Sequence, residues 1–169
     1  MEHEDQGRRK IKEAEERENK LVVAMDGSRR RTRGVKRMGA GVVVKGREQV
    51  IWQGAWGLGR KSNNYDRESF ALVTGMEIAN HLSNNDANVK TLSFYSNSKS
   101  AIANITHTHT SQQISIHFLK WVHECIGKGP NQHIHTTWVP GHKGIEINEM
   151  ADKEVCRGCR REDCIQVSL

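Results

Sequence analysis

The 169-residue chain has no apolar run near the roughly 18 residues that a membrane span needs, which excludes a transmembrane helix. Behind Met1-Glu2-His3-Glu4-Asp5 there is no apolar segment, so no secretory signal is expected. Cysteine is scarce as well. Of four, Cys156, Cys159 and Cys164 are bunched near the C-terminal end, which is not the pattern of a disulfide scaffold; an intracellular location, nuclear or cytoplasmic, is the expectation. Internal repeats and low-complexity linkers are also lacking. The length suits one domain with short extensions and is ample for a buried core.

What the chain does have is charge in uneven places. Its net charge is +6, and residues 27–37 alone carry six Lys and Arg with no acid, so the remainder is balanced. Residues 1–20 hold seven acidic and six basic side chains. Glu13 with Arg17 and Glu16 with Lys20 are i,i+4 pairs that suit a solvated helix, but the segment buries too little to order itself. It reads as a charged extension, disordered or helical, ahead of a domain over 21–156 and a Cys-containing tail over 157–169.

Patterning from Leu21 onward predicts a mixed sheet. Leu21–Met25 is a short apolar run stopped by Asp26-Gly27-Ser28, a buried strand meeting a turn. Residues 39–44 and 49–56 predict two further strands, joined by the hairpin chemistry of Lys45-Gly46-Arg47-Glu48. Phe70, Leu72, Val73, Met76, Ile78, Ala79 and Leu82 recur near 3.6 and predict a helix over 66–82, with Asp66 as its N-cap and Ser83-Asn84-Asn85 as its stop. A fourth strand over 91–96, a short helix over 98–106, a helix marked by Ile114, Phe118, Leu119, Val122 and Ile126, a fifth strand over 133–139 and a last helix holding Ile147, Met150, Ala151 and Val155 complete the order. The fold class is α/β: five strands, three antiparallel and then parallel, with flanking helices. Trp52, Trp56, Trp121 and Trp138 are read as packing, and Asp86 as a turn residue.

Three acids fall at the ends of these elements: Asp26 after the first strand, Glu68 near the start of the first helix, and Asp152 in the last helix. Carboxylates so placed can converge across a sheet, and hard oxygen donors suit Mg²⁺ or Mn²⁺ rather than zinc. Two such ions about 4 Å apart can activate a water and stabilise the leaving oxygen of a phosphodiester. Singly, each acid also has a plain reading: turn chemistry for Asp26, helix-start charge for Glu68, surface charge for Asp152.

Four blocks in order, Asp26-Gly-Ser28, Glu68-Ser-Phe-Ala-Leu72, Phe94-Tyr-Ser-Asn-Ser-Lys-Ser-Ala-Ile102 and the run from Trp138-Val-Pro-Gly-His142 to Asn148-Glu-Met-Ala-Asp152, resemble the signature blocks of type 1 ribonuclease H. The His-Lys-Gly-Ile-Glu-x-Asn-Glu-x-Ala-Asp run is similar in particular to the domains of fungal non-LTR retrotransposons. The resemblance spans residues 20–156. It implies a ribonuclease H-like fold, a partner that is an RNA–DNA hybrid duplex, two Mg²⁺ or Mn²⁺ ions, and hydrolysis of the RNA strand. By the same resemblance Asp26, Glu68 and Asp152 are metal ligands, and His142 assists product release or proton transfer. Asn148 and Glu149 match an Asn-Glu pair, with Glu149 as support for the helix start. A monomer is expected.

One block departs from the pattern. Where the family has an aspartate, this chain has Asn97, which keeps the shape at the fourth catalytic and metal-ligand position but removes a full negative charge. A natural change in a decayed element copy and an introduced substitution both fit it. The expectation is a hybrid ribonuclease impaired by Asn97; the alternative is a nuclease-dead module that binds hybrid.

The basic cluster of Arg29, Arg30, Arg31, Arg33, Lys36 and Arg37, read as a loop after Asp26, lies where substrate phosphates would run, although a solvated hairpin loop explains most such runs. Asn63, Asn64 and Ser98 match positions that contact the sugar edge of the minor groove; Asn and Ser supply the donors and acceptors a 2′-OH reader needs. Cys156, Cys159 and Cys164 have part of a zinc-knuckle spacing, but with only Cys125 or His123 as a fourth ligand no zinc is expected, and they are read as free thiols on the tail. His107 and His109 are read as a polar connector.

Overall fold

A computed structural model describes residues 9, 13, 19–60, 64–106, 120, 123, 133–141 and 143–161. Asn63, His142, Cys125, Cys164, Trp121, the connector at His107 and His109, most of the charged extension, the greater part of the helix expected around 114–126, and residues 162–169 lie outside the described residues.

The strands are β1 (Lys20–Thr32), β2 (Val35–Gly46), β3 (Gln49–Gly57), β4 (Thr91–Ser96) and β5 (His133–Trp138). The longer helices among the described residues are α1 (Asn64–Asn84), α2 (Lys99–Thr106) and α3 (Glu146–Arg160). They build one five-stranded sheet in the order β3-β2-β1-β4-β5. β1 pairs antiparallel with β2 and parallel with β4, β2 pairs antiparallel with β3, and β4 pairs parallel with β5. This is the mixed sheet the patterning predicts, and β1 lies at its centre.

Side-chain alternation along β1 separates two cores. Leu21, Val23 and Met25 face α1 and pack with Leu72, Met76, Ala79, Leu92 and Phe94, while Trp52 and Trp56 stack at 5.9 Å at that core's edge. Val22 and Ala24 face α3 and pack with Val43, Tyr95, Ile147 and Ala151. Helix α3 buries Ile147, Ala151, Val155 and Cys159, a ridge repeating every four residues. It sits close on β2 because Gly41 has no side chain; a Cβ there would overlap the carbonyl of Ala151 and come within 2.7 Å of the Val155 nitrogen.

Several boundaries differ from expectation. β1 does not stop at Met25: Asp26-Gly27-Ser28 continues the ladder, with Asp26 opposite Gly41 and Thr32 opposite Val35. Residues 27–37 are thus a two-stranded ribbon closed by Arg33 and Gly34, whose positive φ values of 50° and 78° match the twist of a two-residue hairpin turn. α1 begins at Asn64, so Asp66 lies within its first turn instead of capping it. α3 runs to Arg160, which places Cys156 and Cys159 on a helix, not on a tail. Asp86 is in a turn, its carboxylate accepting the Asn88 N–H at 2.9 Å.

Candidate active site

β4 ends beside its parallel neighbour β1, which continues past that level paired only with antiparallel β2. Met25 is level with Ser96, so Asp26, still paired with Gly41 of β2, lies beside Asn97, the first residue past the end of β4. Such carboxyl-terminal strand ends are where α/β folds place ligands. Asp26 is buried, and the Asn97 amide nitrogen donates to its Oδ1 at 3.3 Å. A carboxylate only accepts, which sets the orientation of that amide.

The other two acids arrive from opposite faces of the sheet. Glu68 comes from α1, and its Oε2 accepts the Gly27 N–H at 3.3 Å. That contact needs Gly27 to be bare: a Cβ would overlap the Arg67 backbone and lie 2.6 Å from the Glu68 nitrogen. Gly27→Ala is therefore expected to push α1 off β1, lowering stability by about 3 kcal/mol in denaturant melts and separating Glu68 from Asp26. Asp152 comes from α3, packed under even-numbered β1 positions, and hydrogen-bonds Asp26.

Crowding of these carboxylates shows in their protonation. Burial, then the hydrogen bond and charge of Asp152, push Asp26 up to about 6, against the pull of Asn97 and Arg30. Burial and then the charge of Asp26 push Glu68 up to about 8, against the Gly27 N–H and Arg67. Acids that resist ionising side by side form a site short of positive charge. The hard oxygens of Asp26 and Asp152, with Glu68 beside them and the Asn97 side chain on Asp26, fit a divalent cation. As they stand, no three His, Cys, Asp or Glu side chains among the described residues close into a ligand group. Glu68 is held by Gly27, and Asp152 is held by an arginine.

That arginine is Arg30, whose Nη2 donates to Asp152 Oδ1. Burial works against its charge, but Cys156, Asp152 and Asp26 outweigh it, and the guanidinium pKa rises above its ordinary value. The basic cluster is therefore divided. Arg30 and Arg37 face α3, Arg37 donating to the Arg161 carbonyl at 3.0 Å, whereas Arg29, Arg31, Arg33 and Lys36 are exposed. Ser98 serves α2 as a cap, its hydroxyl accepting the Ala101 N–H at 3.3 Å. Glu149 is exposed in the first turn of α3 and Asn148 is buried. Asn64 opens α1.

Two residues near the site carry more than their composition suggested. Trp138 is 40% exposed, not packed in a core; its indole N–H donates to the Asn97 carbonyl at 3.0 Å, and Lys99 lies 4.2 Å over its ring. Its position immediately before Val139-Pro140-Gly141 was the available signal. Gly141 packs on Asn97. Cys159 is buried, its thiol 3.5 Å from the Arg37 carbonyl, a packing role.

A family model described as RNase H matches residues 18–160. No curated protein sequence matches the chain. Among solved structures, the N-terminal RNase H domain of rv2228c from Mycobacterium tuberculosis superposes with a TM-score of 0.63 at 19% identity, over 83% of this chain and 93% of that one. LC11-RNase H1 in complex with RNA/DNA hybrid, a protein isolated from compost by a metagenomic approach, gives 0.61 at 19% identity over 82% and 96%. The foamy viral protease-reverse transcriptase in complex with RNA/DNA hybrid gives 0.62 at 18% identity, over 85% of this chain and 20% of that one.

Proposed function

Because this chain belongs to the RNase H family, the ribonucleases of RNA–DNA hybrids, we propose that it binds hybrid duplex where β4 ends beside Asp26 of β1 and hydrolyses the RNA strand there, at a rate impaired by Asn97. The observation that carries this reading is the meeting of Asp26, Glu68, Asn97 and Asp152 from two strands and two helices. Mg²⁺ or Mn²⁺ held there, two ions by analogy with the family, supplies an activated water and stabilises the leaving oxygen of the phosphodiester. The protein's own part is to hold Asp26 buried and Glu68 half-buried against the backbone of Gly27, and to bring Asp152 to them on α3. Asn97 orients the Asp26 carboxylate but adds no negative charge. His142, beside Gly141, is assigned to product release or proton transfer.

The exposed faces of the β1–β2 ribbon extend from this site, and we assign their Arg side chains to the phosphate backbone. Replacing Arg29 and Arg31 by Ala is expected to reduce the log–log salt slope of hybrid binding by about 1 to 2, each phosphate contact contributing about 0.9. An unchanged slope would remove the ribbon from the interface. The domain over 21–156, extended by α3 to Arg160, is placed in retroelement replication, in an element of the non-LTR type. Asn63, Asn64 and Ser98 are assigned to the sugar edge of the minor groove.

The deciding experiment titrates Mg²⁺ against labelled RNA–DNA hybrid, duplex DNA and duplex RNA, following binding and cleavage together. Selective cleavage of the RNA strand, lost in Asp26→Asn, supports the enzyme. Hybrid binding with no cleavage at any Mg²⁺ concentration supports a nuclease-dead binding module, the reading that Asn97 favours. No measurable hybrid affinity overturns both.

A further inference from the structure

The geometry points to Arg30 as a built-in counter-ion that competes with a divalent cation for Asp152, so that the site stays partly neutralised without metal and takes metal up weakly. This deepens the reading of Asp26, Glu68 and Asp152 as cation ligands and rests on it. The first observation is placement. Arg30 lies four residues beyond Asp26 on β1, two side-chain repeats along, and so on the face that meets α3, while Arg29 and Arg31 point to the other face. It is the one arginine of the cluster whose strand position aims it at Asp152.

The second observation is the contact. The Arg30 guanidinium donates to Oδ1 of Asp152, with the two side chains 35% and 22% exposed. An oxygen already bonded to a guanidinium offers an approaching cation both a partner to displace and a like charge to approach. The third observation is the balance of charge. With Asn97 neutral, three carboxylates that have given up their protons to a bound cation, less the guanidinium, leave two negative charges, which one divalent ion balances.

The test measures Mn²⁺ binding to the full chain by calorimetry and by electron paramagnetic resonance of the free ion, without hybrid. Arg30→Gln is expected to tighten the dissociation constant about tenfold or more. Arg30→Lys, which keeps the charge, is expected to bind as the parent does. Combining Arg30→Gln with Asp152→Asn is expected to cancel the gain, which a general loosening of the ribbon would not do. Arg30→Ala is read in the same way should the glutamine variant fail to fold. Equal affinity in the parent and in Arg30→Gln overturns the counter-ion and leaves the ligand reading standing. Absence of binding in the parent, in Arg30→Gln and in Asn97→Asp overturns the ligand reading, and Arg30's role falls with it.

Discussion

Asn97→Asp is expected to raise Mg²⁺-dependent cleavage of RNA–DNA hybrid by at least about 100-fold, the least that restoring a ligand should give where changing a ligand's support already costs 10–100-fold. The reason is visible at Asp26. Asn97 turns its amide nitrogen to Asp26 Oδ1 at 3.3 Å, so the position that could offer a charged oxygen to a cation offers a donor to a neighbouring acid. Aspartate reverses that: the donor disappears and a fourth carboxylate joins Asp26, Glu68 and Asp152. Without metal the same change should be unfavourable. Asp26 would lose the contact that pulls its pKa down and gain a like charge, at a cost of about 1 kcal/mol at pH 8. The variant is thus expected to melt below the parent in EDTA and to gain more from Mg²⁺. Single-turnover cleavage and melting curves with and without Mg²⁺ read both effects. A parent that already cleaves as fast as the variant removes the impairment. Mass analysis at Asn97-Ser98 guards against deamidation in the parent.

The strands were legible because they carry either a compact apolar run, as in β1 and β2, or period-2 alternation, as in β5, and alternation along β1 separated two cores as the sheet requires. The reach of β1 past Met25 was not. Asp26-Gly27-Ser28 has the composition of a turn, and the three arginines after it, Arg29 to Arg31, have that of a solvated loop. Only pairing with β2, with Gly39 and Gly41 set against α3, makes them strand. Of the site, Asp26, Glu68 and Asp152 could be singled out from residue type and position at element ends, whereas Asn97 stood out only through the resemblance of its block to the family's, where an aspartate is expected. The Arg30–Asp152 pair could not, because its members are 122 positions apart and nothing local links them. Trp138 was misjudged for a different reason. Hydrophobicity speaks for burial, but Trp138 occupies the last position of β5, past the core that Ile134 reaches, so its ring remains open beside Lys99.

Glu68→Gln is expected to separate stability from activity, lowering cleavage by at least about 100-fold while raising the metal-free melting temperature at pH 8. Glu68 has a pKa near 8 in the fold against 4.5 for an ordinary glutamate, and Asp26 near 6 against 3.8. Between those values the folded chain holds protons that the unfolded chain has released. Stability therefore falls as pH rises, from about 4 for Asp26 and 4.5 for Glu68, and levels off above pH 8. The two groups raise each other, so their shifts do not add. A combined loss of roughly 3 kcal/mol corresponds to about 6–12 °C between pH 5 and pH 8 in EDTA. Glutamine has no proton to lose and keeps the shape of Glu68, so the variant's curve should be shallower and lie above the parent's at pH 8. Saturating Mg²⁺ should raise the parent at pH 8, because a cation favours the ionised carboxylates, and should do far less for the variant. A parent whose melting temperature in EDTA stays level or climbs from pH 5 to pH 8 would show that Glu68 and Asp26 do not share a buried site.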